Sequence, residues 1–115
     1  MITIETLKNF GANTEDGLGR CFNNEEFYLK LVKTVPAEPN FDQLAAAVES
    51  GDMKRAFEHA HALKGVLANL SLTPILNPAN EITEHLRAEE DIDYKPLLEE
   101  IISKRDELKA LCEEV

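Results

Sequence analysis

Positive charge is scarce in this 115-residue chain: 12 Lys and Arg stand against 22 Asp and Glu, a formal net charge of -10. A surface this acidic repels a phosphate backbone and an anionic membrane face alike, which argues against nucleic acid and lipid as partners. Long hydrophobic runs are missing too. The longest uninterrupted apolar stretch is the five residues Leu44 to Val48, far short of the roughly 20 that cross a bilayer. The opening MITIETLKNF has neither a basic region nor an apolar signal core, so the expected location is the cytoplasm. Cysteine occurs twice, at Cys21 and Cys112, without the paired spacing of a zinc site or a redox motif. Two buried or idle thiols are expected, not a disulfide scaffold. Aromatic residues make up only 6% of the chain, but 43% is apolar, enough for one modest core of Leu, Ile, Val and Ala. A single domain over residues 1–115 is expected.

What is present is helical periodicity. Apolar residues recur at spacings of three and four in nearly every segment, and no stretch alternates, which predicts an all-helical fold without internal repeats. A short helix follows Thr3 and stops at Gly11, and a second begins near Asn13, with Glu15 and Asp16 suited to its positive end. Asn23 with Glu26 resembles a capping box ahead of Phe27, Tyr28, Leu31, Val32 and Val35. Asn40 with Gln43 repeats that signal, and Gly51 closes the helix it opens. The next helix follows Asp52 and runs to about Ser71, where Thr73 suits a cap and Pro74 a first helical residue. Pro78 interrupts the pattern Ile75, Ala79, Ile82, Leu86: either that helix bends or it starts at Asn77. After RAEEDID, a solvated acidic turn, a long amphipathic helix spans about Tyr94 to Glu113, with Leu98, Ile101, Leu108 and Leu111 inward. Four substantial helices on short turns predict an antiparallel up-and-down four-helix bundle, with the short N-terminal helices as a lid.

The stretch EHAHALKGVLANLSL, residues 58 to 72, sets a glycine inside a helix, four residues after a histidine. At about 100 degrees per residue, Ala56, Ala60, Leu63, Leu67 and Leu70 fall on the side opposite His61, which therefore faces away from the core. Around it on the outer face come Phe57, Lys64, Gly65, Ala68 and Leu72. A helical glycine costs about 0.5 to 1 kcal/mol relative to alanine, and an outward one is not demanded by helix packing. Space for a visitor explains it. An imidazole open to water is largely neutral and nucleophilic near neutral pH and can attack phosphorus. Lys64, one turn on, offers a charge to steady a phosphoryl group, an exposed contact contributing on the order of 0.2 to 1 kcal/mol. Gly65 gives access, while Phe57, Ala68 and Leu72 form a docking patch. No metal-ligand cluster and no phosphate-cradling glycine loop accompanies them, so a partner must complete the chemistry.

AHALKGVLANLSL resembles the signature of histidine-containing phosphotransfer (HPt) domains, in which the histidine is followed by Lys at +3, Gly at +4 and a small residue at +7. His61, Lys64, Gly65 and Ala68 match; Ser71 stands where the family commonly has glycine. The resemblance implies a phosphocarrier of a two-component phosphorelay, not a stand-alone enzyme. His61 would accept a phosphoryl group from a receiver-domain aspartate and pass it to a response regulator. Its partners would be receiver domains of response regulators or hybrid histidine kinases, with magnesium on the receiver and no cofactor or metal on this chain. A monomer is expected.

Other readings attach to the same residues. A helical interaction module of this fold that is never phosphorylated is the alternative function. The dimerising domain of a sensor kinase is a poorer fit, because Ala62 follows His61 where an acidic residue is usual. His59 sits about 160 degrees from His61, at the edge of the core face, and is expected to be structural; His85 is expected to be solvent-exposed. His59 and His61 diverge by about 200 degrees and cannot share a metal ion.

Overall fold

Thr3 starts the first helix by reciprocal capping: its hydroxyl accepts from the Thr6 N–H and its own N–H donates to the Thr6 hydroxyl. The computed structural model describes residues 2–113. Among these, seven α-helices and one 3-10 turn follow in order: α1 Ile4–Phe10, α2 Thr14–Arg20, α3 Glu25–Thr34, the 3-10 turn Val35–Ala37, α4 Pro39–Ser50, α5 Met53–Asn69, α6 Thr73–Arg87 and α7 Lys95–Glu113. The described residues contain no strand.

Most boundaries follow local chemistry, and three caps differ from expectation. Asn24, not Asn23, caps α3, because Phe22 and Asn23 both take left-handed backbone in the preceding turn. Phe27 is exposed, because the inward stripe runs through Tyr28, Val32 and Val35 at spacings of four and three. Glu38, not Asn40, caps α4, since Pro39 supplies the pre-set φ of a first helical residue. Leu72 takes the capping position of α6 without a side-chain hydrogen bond, and Thr73 is already helical. Pro78 lies within α6, so the helix does not begin at Asn77. The N–H that proline lacks would have met the carbonyl of Pro74, in the first turn, where the loss is least disruptive, and the ring is buried in the core.

α5 is the central element. It packs against α4 on one side and α6 on the other; α6 packs on α7, and α7 returns to touch α4. The core holds Phe41, Leu44 and Ala47 from α4, and Ala56, Ala60, Leu63 and Leu67 from α5. From α6 and α7 come Ile75, Ala79, Ile82, Leu86, Ile101 and Leu108. Burying a Leu or Ile side chain of this kind contributes about 1.5–3 kcal/mol. Leu98 and Leu111 of α7 pack at the edge of the core and are only partly buried.

The N-terminal helices are fastened to the turn between α5 and α6. Tyr28 donates its hydroxyl to the Leu70 carbonyl at 2.8 Å, and the Asn13 N–H donates to the Ser71 carbonyl at 3.0 Å. Burial pushes the Tyr28 hydroxyl up to about 12, which keeps it a donor. Gly17 makes room for this ring: a Cβ there would stand 2.6 Å from Tyr28 ring atoms.

Candidate functional site

The middle of α5 presents one stripe outward because its other side is committed to leucine and alanine. The N-terminus of the helix is fixed by Asp52, whose carboxylate accepts from the Arg55 N–H at 3.2 Å. From there the regular 3.6-residue turn carries Ala56, Ala60, Leu63 and Leu67 inward and His61 outward. His61 and Gly65 are exposed, Lys64 and Ala68 half-buried. Neither ring nitrogen of His61 has a hydrogen-bond partner among the described residues. A Cβ added at Gly65 would meet no heavy atom within 4 Å. The glycine is therefore not there for helix packing; the space it leaves opens to solvent beside the imidazole.

Phe57, one turn before His61, stacks on it, with ring centroids 5.8 Å apart and planes inclined by 19°. Arg87 of α6 lies over the Phe57 ring at 5.3 Å, a cation–π arrangement. Lys64 reaches across to α6, its Nζ 3.8 Å from Glu84 Oε1, and Arg87 Nε stands 3.5 Å from Glu84 Oε2. Next to Phe57, a groove of about 440 Å³ opens between α5 and α6, with Met53, Phe57 and Leu86 as its apolar wall and a rim of mixed charge, Lys54 and Arg87 with Glu58 and Glu89.

Five of the six site residues read from the sequence share this face: His61, Lys64, Gly65, Phe57 and Ala68. Leu72 does not. It is fully buried, because α5 ends at Asn69 and Ser71 takes φ +53°, which turns the chain back before Leu72. A wheel extended past the true helix end assigned it to the wrong side, and Leu72 belongs to the core. Glu84, Leu86 and Arg87 carried no signal in the α5 pattern, since they come from the neighbouring helix, and Met53, the first residue of α5, lay outside the stretch around His61.

The other two histidines have neighbours. His59 is half-buried, its Nδ1 2.9 Å from Asn40 Oδ1 on α4. His85 is partly exposed, its Nδ1 2.6 Å from Glu90 Oε2 just beyond α6. No group of three or more His, Cys, Asp or Glu side chains among the described residues is placed to hold a metal ion. No described helix is long and apolar enough to cross a membrane. Cys21 is buried and free, and burial pushes the thiol of Cys112 up.

Ser71 has its own arrangement. Its hydroxyl donates to Asp16, and this bond, with Arg20 next, holds the Asp16 carboxyl below the usual carboxylate range. A left-handed backbone at this position accounts physically for a preference for glycine there, and here a serine accepts the strain while tying α2 to the turn.

A family model described as Hpt domain matches residues 36–115, a segment that includes α4 to α7 and leaves α1 to α3 outside. No curated protein and no solved structure matches the chain.

Proposed function

The chain belongs to the Hpt domain family, whose general role is phosphotransfer in two-component signalling, and from that premise we propose that His61 is the residue that carries the phosphoryl group. The observation that supports this is the exposed imidazole with both nitrogens unengaged, set beside the open space at Gly65. A ring-nitrogen lone pair attacks the phosphorus of a receiver's aspartyl phosphate. The P–N bond forms as the P–O bond breaks, and its electron pair leaves on the aspartate carboxylate. The proton on the second ring nitrogen stays there or passes to water, to which the ring is open. The reverse exchange delivers the group to another receiver.

Lys64 steadies the phosphoryl charge from one turn away, Gly65 admits the partner's loops, and Phe57 and Ala68 form the contact patch. The receiver brings its aspartate and its magnesium; this chain supplies the nucleophile and the surface. In this reading the whole chain is one domain. α4 to α7 form an antiparallel four-helix bundle, supported by their closed series of contacts, and α1 to α3 form a lid over the α5–α6 turn. The carrier acts as a cytoplasmic monomer, and its net charge of -10 disfavours nucleic acid and membrane partners.

The test is incubation with a phosphorylated receiver domain and magnesium. An acid-labile, base-stable adduct is expected on His61 and is lost in His61→Gln. Failure of every receiver of the source organism to transfer would instead favour a binding module that is never phosphorylated.

A further inference from the structure

A single carboxylate, Glu84, pairs with two cations of this face, Lys64 and Arg87. Lys64 follows His61 by three residues on α5, and Arg87 lies over Phe57, the ring stacked on His61. Glu84 gives one oxygen to each, at 3.8 Å from Lys64 Nζ and 3.5 Å from Arg87 Nε. Among the described residues neither cation has another ion pair. We propose that Glu84 is the resident counter-ion of this site, and that a phosphoryl group on His61 takes its place, drawing Lys64 and Arg87 away from the carboxylate. The inference rests on the reading of His61 as the phosphorylated residue.

The chemistry favours the exchange. A phosphoryl group brings close to two negative charges and three acceptor oxygens, against one charge on the carboxylate. All three partners are solvent-accessible, with Glu84 59% and Arg87 51% exposed, so changing partners requires no unfolding and little desolvation. The competition also limits how tightly the group is held. A carrier must release its cargo, and a carboxylate waiting to reclaim both cations weakens the phosphorylated state relative to the free one. Glu84 is thus a positioning residue: it touches neither phosphorus nor the attacking nitrogen and acts through Lys64 and Arg87.

Phosphoramidate tests this without a protein partner. Its P–N bond breaks as the bond to the histidine forms, and ammonia leaves. Phosphorus NMR of the labelled protein then follows the second ionisation of the phosphoryl group, which nearby cations lower. Exposed pairs of this kind shift equilibria by about two- to five-fold, so Glu84→Gln is expected to lower that midpoint by about 0.3 to 0.7 pH unit and lengthen the phosphohistidine half-life by a similar factor. Glu81→Gln, which removes the same charge one turn away, should leave both near wild type. In a Lys64→Ala background the Glu84→Gln effect should fall by half or more.

An unchanged or raised midpoint in Glu84→Gln, or an equal shift in Glu81→Gln, would overturn the proposal, as would an effect that Lys64→Ala leaves intact. So would failure of phosphoramidate to label His61. A chain that phosphoramidate labels but no receiver phosphorylates would count against the relay alone.

Discussion

The rings of Phe57 and His61 lie nearly parallel, 19° apart, with centroids separated by 5.8 Å. The guanidinium of Arg87 lies over the Phe57 ring at 5.3 Å, so α6 helps to fix the ring on which the imidazole stacks.

Replacing Phe57 with leucine keeps most of the buried apolar volume and removes the stacking face. Aromatic pairs contribute about 0.5–1.5 kcal/mol beyond area burial, so Phe57→Leu is expected to slow phosphotransfer about two- to ten-fold. Stopped-flow or quench-flow transfer kinetics measure this, and a melting temperature within a few degrees of wild type separates it from unfolding.

Gly65 separates access from stability. Gly65→Ala should leave stability equal or raise it by up to about 1 kcal/mol, because alanine favours helix and the new methyl meets nothing. Gly65→Gln should fold normally and transfer slowly. Loss of stability in both variants by denaturant titration would mean that glycine serves the fold.

Lys64→Ala is expected to shorten the phosphohistidine lifetime or reduce the transfer rate by a factor of about two to five, the range of a half-exposed ion pair. A lifetime and rate equal to wild type would make the lysine a bystander.

Ser71 and Asp16 give a pH-dependent contribution to stability. The folded-state pKa of Asp16 is lowered, chiefly by the Ser71 hydroxyl. The contribution is therefore complete above the ordinary carboxylate value and disappears as pH falls through the lowered one. Ser71→Ala, which keeps the strained backbone and loses the bond, should melt below wild type at neutral pH, with the gap closing in acid. Ser71→Gly should be more stable than Ser71→Ala, since glycine adopts φ +53° without the cost of about 1 kcal/mol that a side chain incurs. Thermal melts of the three proteins from neutral pH down to the acid limit of folding decide the matter.

The outward placement of His61 was legible in the sequence because a wheel needs only one thing to hold, a regular turn, and α5 is regular from Met53 to Asn69. The same rule misplaced Leu72, two residues beyond the helix cap, because a single left-handed residue at Ser71 resets the direction of the chain. Caps shifted by one or two positions wherever two polar candidates competed, as with Asn23 against Asn24 and Asn40 against Glu38. The tether between Lys64 and Glu84 was illegible for a different reason. It joins residues 20 apart whose meeting depends on how α5 and α6 lie together, and no periodicity within either helix encodes that.

The bond from Tyr28 to the Leu70 carbonyl has a practical consequence for anyone trimming this protein. A fragment cut to residues 36–115 would lose the phenol that plugs the end of the helical stack. It would leave a main-chain oxygen without its donor and wet the side chains beneath it. Such a fragment would be prone to self-association, and the cut that keeps the protein well behaved lies ahead of α1.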